Sequence, residues 1–275
     1  MRFGLDISQH QLTWEELLSR ARFAEELGFD GAWVFDHFKP LYGPRSGPCM
    51  EGWTLLAALA ASTDRIRLGS LVTGVTYRHP SILAAQAATV DNVSKGRLDF
   101  AIGAAWFEDE HRELGIPFPS IRERVDRLDE AVQVIRALWT DDDVSFDGRY
   151  YRLDGASHHP KPVQAPHPPI WIGASGEGLT VPLAGRHADV WHGFGSVASL
   201  TRKAAVLDRA AEEAGRDPSS IVRSTALSIS EPVDEVRSTA EALRDAGFGY
   251  LTVSWPEDGR SKIEKVVHEV LVPLR

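Results

Sequence analysis

The sequence predicts an α/β chain closed into a (β/α)8 barrel, the TIM-barrel architecture, with an insertion region over its C-terminal mouth. Three observations carry this. Short apolar runs of strand type alternate with amphipathic helical segments about eight times along the chain. The 275 residues suit such a barrel, which takes about 250. One stretch, 141–169, breaks the rhythm and reads as a non-helical excursion from a single domain spanning 1–275. A doubly wound open sheet is the competing architecture, but no Gly-x-Gly-x-x-Gly follows the first strand.

Phe3–Ile7 reads as the first strand. Thr13–Leu27 reads as a helix: Thr13 caps it, Glu16 stands three residues later, and Leu17, Phe23, Ala24 and Leu27 make an apolar stripe. Gly28 ends it. Ala32–Phe35 is the second strand, and the very apolar Glu51–Ser62 the next helix. Ile66–Val72 is the third strand, followed by a helix from about Ser81 to Val93. Arg97–Ile102 is the fourth strand. The long helix Ser120–Trp139 puts Val125, Leu128, Val132, Ile135 and Leu138 on one face. Arg122, Glu123, Arg127, Asp129 and Glu130 occupy the other.

The excursion follows. Asp147-Gly148 between Val144-Ser145-Phe146 and Tyr150-Tyr151-Arg152-Leu153 is a hairpin signal. Pro160, Pro162, Pro168 and Pro169 then enforce an extended path. Ile170–Ile172, Asp189–His192, Val222–Ser228 and Tyr250–Ser254 supply the last four strands. Helices near Leu179–Arg186, Ser199–Ala214, Val233–Asp245 and Arg260–Leu271 accompany them.

Composition narrows the function. Hydrophobic residues make up 43% and charged residues 25%, an ordinary globular balance that excludes disordered and collagen-like chains. The net charge of -9 argues against nucleic acid as a partner. No apolar run approaches the roughly 20 residues of a membrane span. The N-terminus carries no signal-peptide pattern, so a cytoplasmic location is expected. Cys49 is the lone cysteine, which excludes an intrachain disulfide and a Cys-rich zinc site and fits a reducing compartment. A small-molecule substrate is the expected partner.

In a barrel, chemistry gathers where strands end. After the second strand come Asp36 and His37, suited to hold a ligand and move a proton, or to pair with each other. After the third comes Thr73-Gly74-Val75-Thr76-Tyr77-Arg78-His79-Pro80. Its glycine permits close ligand approach, and its end also reads as a plain helix start. After the fourth comes Gly103-Ala104-Ala105-Trp106-Phe107-Glu108-Asp109-Glu110-His111. Small residues before an aromatic pair suit a flat ligand. Adjacent Glu110 and His111 lack the i,i+3 or i,i+4 spacing of a helical chelate, so no metal is expected. After the fifth, Gly173-Ala174-Ser175-Gly176-Glu177-Gly178 leads into a helix N-terminus, which favours a phosphate or is simply a tight βα turn. No Gly-x-Ser-x-Gly elbow is present.

Together these segments resemble the bacterial luciferase-like superfamily of flavin and deazaflavin oxidoreductases. The resemblance is carried by Gly28-Phe29-Asp30-Gly31-Ala32-Trp33, Asp36-His37 and Leu68–Gly74 with Tyr77-Arg78-His79-Pro80. Ser94-Lys95-Gly96-Arg97-Leu98, Gly103–Trp106, Arg124–Glu130 and Ile170–Gly176 complete it. It implies a barrel with a tricyclic cofactor on the third strand's end, against a non-proline cis peptide placed at Leu71–Val72. Asp36-His37 with Thr73–Thr76 looks more like the coenzyme F420-dependent branch than the flavin mononucleotide (FMN) branch. The cofactor set so implied is Asp36, Leu71, Val72, Thr73, Gly74, Gly103, Ala104, Trp106, Asp109, Gly173, Ala174, Ser175, Gly176, Glu177 and Gly178. His37 is the implied proton-transfer residue. The branch's sugar-phosphate dehydrogenases carry a glutamate where Trp106 stands, so their substrate does not transfer. The superfamily commonly forms homodimers. The alternatives are an FMN monooxygenase fed by a separate reductase, and a non-catalytic cofactor binder.

Overall fold

The computed structural model describes residues 1–275. In chain order the strands are β1 (Arg2–Asp6), β2 (Gly31–Val34), β3 (Arg67–Ser70), β4 (Thr73–Gly74), β5 (Leu98–Gly103), β6 (Val144–Asp147), β7 (Arg152–Ala156), β8 (Ile170–Gly173), β9 (Val190–Gly193), β10 (Val222–Leu227) and β11 (Tyr250–Ser254). Nine of them form one parallel sheet in the order β3-β2-β1-β11-β10-β9-β8-β5-β4, and a β3–β5 pairing closes the ring. β3 and β4 are two halves of one barrel strand, parted by a cis peptide bond between Leu71 and Val72. The barrel therefore has eight strand positions, as the alternation predicts.

The helices are α1 (Trp14–Glu26), α2 (Gly52–Ser62), α3 (Pro80–Val93), α4 (Glu108–Leu114), α5 (Ile121–Thr140), α6 (Thr180–His187), α7 (Val197–Glu213), α8 (Val233–Asp245) and α9 (Gly259–Val266). α1 starts on the capping box read from the sequence: Glu16 N–H donates to Thr13 Oγ1, and Thr13 N–H donates to Glu16 Oε2 at 2.9 Å. Such a cap stabilises by about 1 kcal/mol. α4 lies in a stretch to which the sequence reading assigns no helix. Three acids in its first turn complement the helix dipole, and Gly115 ends it at φ 69°.

Two layers of core position the mouth. Outside the sheet, apolar side chains of the strands meet the inner helix faces. Inside, Trp33, Trp171 and Tyr250 plug the barrel, with Ala101 and Val190. Trp33 and Trp171 stand edge to face at 4.6 Å, and Trp33 Nε1–H donates to Tyr250 Oη at 3.1 Å. Each such ring removes roughly 150–250 Å² from water, on the order of 4–6 kcal/mol at about 25 cal/mol/Å². Glycine makes the room: a Cβ on Gly69 would lie 2.3 Å from the Trp33 ring.

The 141–169 excursion requires a correction. It contains the expected hairpin, β6 paired antiparallel with β7. It packs along the outside of α5 and α3 rather than over the mouth. The backbone N–H groups of Arg149, Tyr150 and Tyr151 all end on the Glu130 carboxylate of α5. Tyr151 meets His79 at the start of α3 edge-on at 5.3 Å. Farther on, Val163 and Gln164 bond to Asp91 of α3. These polar anchors fix the segment to the barrel's flank, and none of its residues lines the cavity at the mouth.

Candidate active site

Beyond β2 the chain turns through Phe35, Asp36 and His37. Asp36 is buried and accepts two bonds from Arg78, at 2.6 and 2.9 Å, while Arg78 also reaches Glu51. Burial pushes the Asp36 carboxyl up, against the opposing pull of Arg78. Both oxygens are spent on this fork, so Asp36 fixes the β2 and β4 loops to each other.

His37 faces a different carboxylate. Its Nδ1–H donates to Glu110 Oε2 at 2.9 Å. Glu110 lies in α4 and is fully buried. It also accepts Tyr77 O–H at 2.6 Å and the backbone N–H groups of Phe38 and Lys39 at 2.8 and 3.0 Å. Burial alone would raise its pKa. The bonds from His37 and Tyr77, the His37 charge and the Phe38 N–H outweigh that and hold the carboxyl below its usual range. Glu110 therefore stays ionised and fixes the His37 tautomer, leaving Nε2 outside that bond. The edges of Tyr77, Trp106 and Phe107 surround the imidazole at 5.9 to 6.4 Å. His111, by contrast, serves structure: Nδ1–H donates to Phe107 O and Nε2 meets Thr76 Oγ1 at 2.6 Å.

The β3–β4 break forms the adjoining wall. Leu71 and Val72 flank the cis bond, and Val72 covers both Gly103 and Gly173, where an added Cβ would meet its methyls at 2.9 and 3.0 Å. Those two glycines thus seat Val72. The Thr73 hydroxyl accepts Trp53 Nε1–H at 2.9 Å, and a Cβ on Gly74 would meet the Tyr77 ring at 2.9 Å. Ala104 O accepts Arg124 Nε–H, and Trp106 stands 66% exposed at the rim. Asp109 points elsewhere: it pairs with Arg112 on the outer side of α4, 4.0 Å from Arg45.

The turn after β8 is anchored at each end. Ala174 O accepts Trp191 Nε1–H, and Gly176 N–H donates to Thr180 Oγ1 at 2.9 Å. Glu177 pairs with Arg202. Lys203, buried in α7, donates to Ser175 Oγ at 2.8 Å and to Phe194 O at 2.6 Å. Neither partner is a carboxylate, so the turn carries uncompensated positive charge. A Cβ on Gly178 would meet nothing, which leaves space above the turn.

At the ends of β1, β9, β10 and β11, with Leu71 on one side, lies a cavity of about 660 Å³, whose lining includes neither His37 nor the turn after β8. Asp6, His10, Arg20, Leu71, His192 and Trp255 help line it. Burial pushes His192 down to about 3, and its Nδ1 meets Ser224 Oγ at 3.0 Å, so the ring is neutral. Sequence reading missed Lys203, Asp6 and His192, and it weighed Glu110 only as a metal ligand. The strand-end criterion extended to β1 and β9 picks out Asp6 and His192, whereas Lys203 sits on a helix and carries no such signal, and nothing local to Glu110 ties it to His37, 73 residues away.

The luciferase-like monooxygenase family model matches residues 1–268. The chain belongs to that family. This luciferase-like chain is 39% identical over 191 residues to a Nakamurella multipartita F420-dependent glucose-6-phosphate dehydrogenase, covering 69% of the chain and 55% of the relative. It is 33% identical over 219 residues to a Mycobacterium tuberculosis F420-dependent hydroxymycolic acid dehydrogenase, covering 79% and 59%. The chain thus spans little more than half the length of these curated relatives. An F420-dependent secondary alcohol dehydrogenase, solved with an F420–acetone adduct, superposes with a TM-score of 0.90 at 23% identity, covering 100% of this chain and 99% of that one. At that identity the match speaks for the fold.

Proposed function

We propose that this protein is an oxidoreductase moving a hydride between the deazaflavin coenzyme F420 and a small organic substrate. The observation that carries the reading is His37, at the end of β2, held through Nδ1 by the buried Glu110 carboxylate. Its relatives named as F420-dependent dehydrogenases support the choice of coenzyme. The residues fit the group. Lys203, the Ser175 hydroxyl and the backbone N–H groups of Glu177 and Gly178 form a donor set for its phosphate, while the Gly176 N–H is held by Thr180. Leu71 and Val72 offer an apolar wall for its ring. When bound, F420 supplies the two-electron carrier.

The chain's own residues do the rest. His37 Nε2 accepts the substrate hydroxyl proton during oxidation and returns one during reduction. Glu110 holds the imidazole at its other nitrogen and stabilises its charged form. Trp106 and Phe107 shield the His37 side of the mouth from water. A flavin monooxygenase is the competing activity. Titrating the apoprotein with F420 and with FMN, followed by fluorescence quenching, separates them. Tight F420 binding with weak FMN binding is expected, and the reverse order rejects the reading.

A cytoplasmic setting agrees with the lone free cysteine, Cys49, the pattern of a reducing compartment. A homodimer is part of the same reading: α3 exposes two apolar side chains, Ile82 at 58% and Val93 at 43%, that a second copy would cover. Light scattering that reports a monomer at micromolar concentration would refute it.

A further inference from the structure

The β1, β10 and β11 side of the cavity has no part in the chemistry assigned above. Arg20 of α1 lines it. Its guanidinium lies over the Trp255 indole, 4.1 Å from the ring centroid, and Nη1–H reaches Ile7 O at a long 3.4 Å. No carboxylate lies within 4.0 Å, unlike Arg67, Arg78, Arg127 and Arg223, each of which is paired. Stacking on an indole fixes the plane of the fork while leaving its N–H edges free. Serine hydroxyls at Ser8 and Ser254 line the same cavity.

We propose that Arg20 is a substrate-recognition residue, and that the small molecule taken into this cavity carries a carboxylate bound by the Arg20 fork. This rests on the oxidoreductase reading only in assigning the cavity to substrate. Three acidic groups bear on the fork. Asp6 shares the cavity, and burial pushes its carboxyl up to about 7 despite the Ser8 N–H and the Arg20 charge. Below that pH its proton is a further donor to a carboxylate rather than a competing charge. Glu16 stands one turn away on α1, and Glu257 is an exposed residue of the cavity lining. A planar, bidentate fork matches a carboxylate in geometry as well as charge. Lys203 bonds to Ser175 in the turn after β8 and to the carbonyl of Phe194, which lines the β9 side of this cavity, whereas Arg20 stands on the β1 and β11 side.

The test compares two probes of one shape, cyclohexanecarboxylate and cyclohexanecarboxamide, titrated by NMR into the full chain with and without F420. The wild type is expected to favour the carboxylate by at least about 10-fold, the scale of a charged hydrogen bond. Arg20→Gln is expected to abolish that preference, and Arg20→Lys to retain part of it. F420 affinity, measured on the same samples, should stay unchanged in both variants. It reports folding and tests the coenzyme separately. Equal binding of the two probes by the wild type overturns the proposal. So does a carboxylate preference that survives Arg20→Gln.

Discussion

At the scale of single residues, the arrangement turns on one buried carboxylate with several donors. Glu110 acts through His37, since its nearer oxygen holds Nδ1 at 2.9 Å and its other contacts fix the loop that carries the ring. His37→Asn is expected to leave F420 affinity within about threefold while turnover falls by about 100-fold, the scale of a lost general acid or base. Glu110→Gln keeps the volume but loses the charge, and it is expected to cost turnover by about 10- to 100-fold through a misplaced imidazole. The double variant should be hardly slower than His37→Asn alone, because removing the orienting group matters little once the oriented group is gone. Steady-state kinetics on the three variants check this. Full additivity would give Glu110 an independent role.

At the scale of elements, the β8–α6 turn is the part most exposed to a single change. Gly176 lacks a positive φ, and a Cβ there would meet only Thr180 Oγ1, at 3.3 Å. Gly176→Val is therefore compatible with the fold, while its branched side chain occupies the space above a turn charged by Lys203. F420 affinity is expected to fall about 10-fold or more, with melting shifted by no more than about 4 °C, the effect of roughly 1 kcal/mol at most in a chain of this size. Titration and thermal unfolding of the same preparation read both. An unchanged dissociation constant would remove the turn from the phosphate site.

At the scale of the whole molecule, Asp6 gives stability an unusual slope. Its carboxyl ionises near the ordinary aspartate value of about 3.8 when unfolded and at about 7 when folded. Between those values the folded state holds a proton the unfolded state lacks, so this group's contribution falls as pH rises from about 4 to 7 and then levels off. Glu25, Glu51, Glu110 and Asp129, all held below their ordinary range, act oppositely: their stabilisation is present above the unfolded pKa and is lost as pH falls through the folded one. Buried His10 and His192, pushed down to about 4 and 3, pull the other way over the same range, because only the unfolded chain protonates them there. Chemical denaturation at a series of pH values should therefore show stability rising more steeply between about pH 4 and 7 in Asp6→Asn than in the wild type, with acid unfolding left in place. An unaltered slope in the variant would mean that Asp6 titrates normally.

The sequence by itself determined the barrel and the places where its chemistry gathers. The alternation of β and α periods, the Thr13–Glu16 cap, the Asp147-Gly148 hairpin and the glycine-rich turn are set within a few residues. Local periodicity and turn chemistry therefore expose them. Asp36 and His37 were legible as strand-end residues, but their partners were not. Tertiary structure decided that His37 bonds to Glu110, 73 residues away, while Asp36 is taken by Arg78. It put Lys203 under Ser175 and Arg20 over Trp255. It also laid the hairpin on the barrel's flank, because Glu130 offered its carboxylate there. Closing a sheet into a ring brings strand ends together whatever their separation in sequence. Which side chains then meet depends on the paths of the loops and on buried polar groups finding partners.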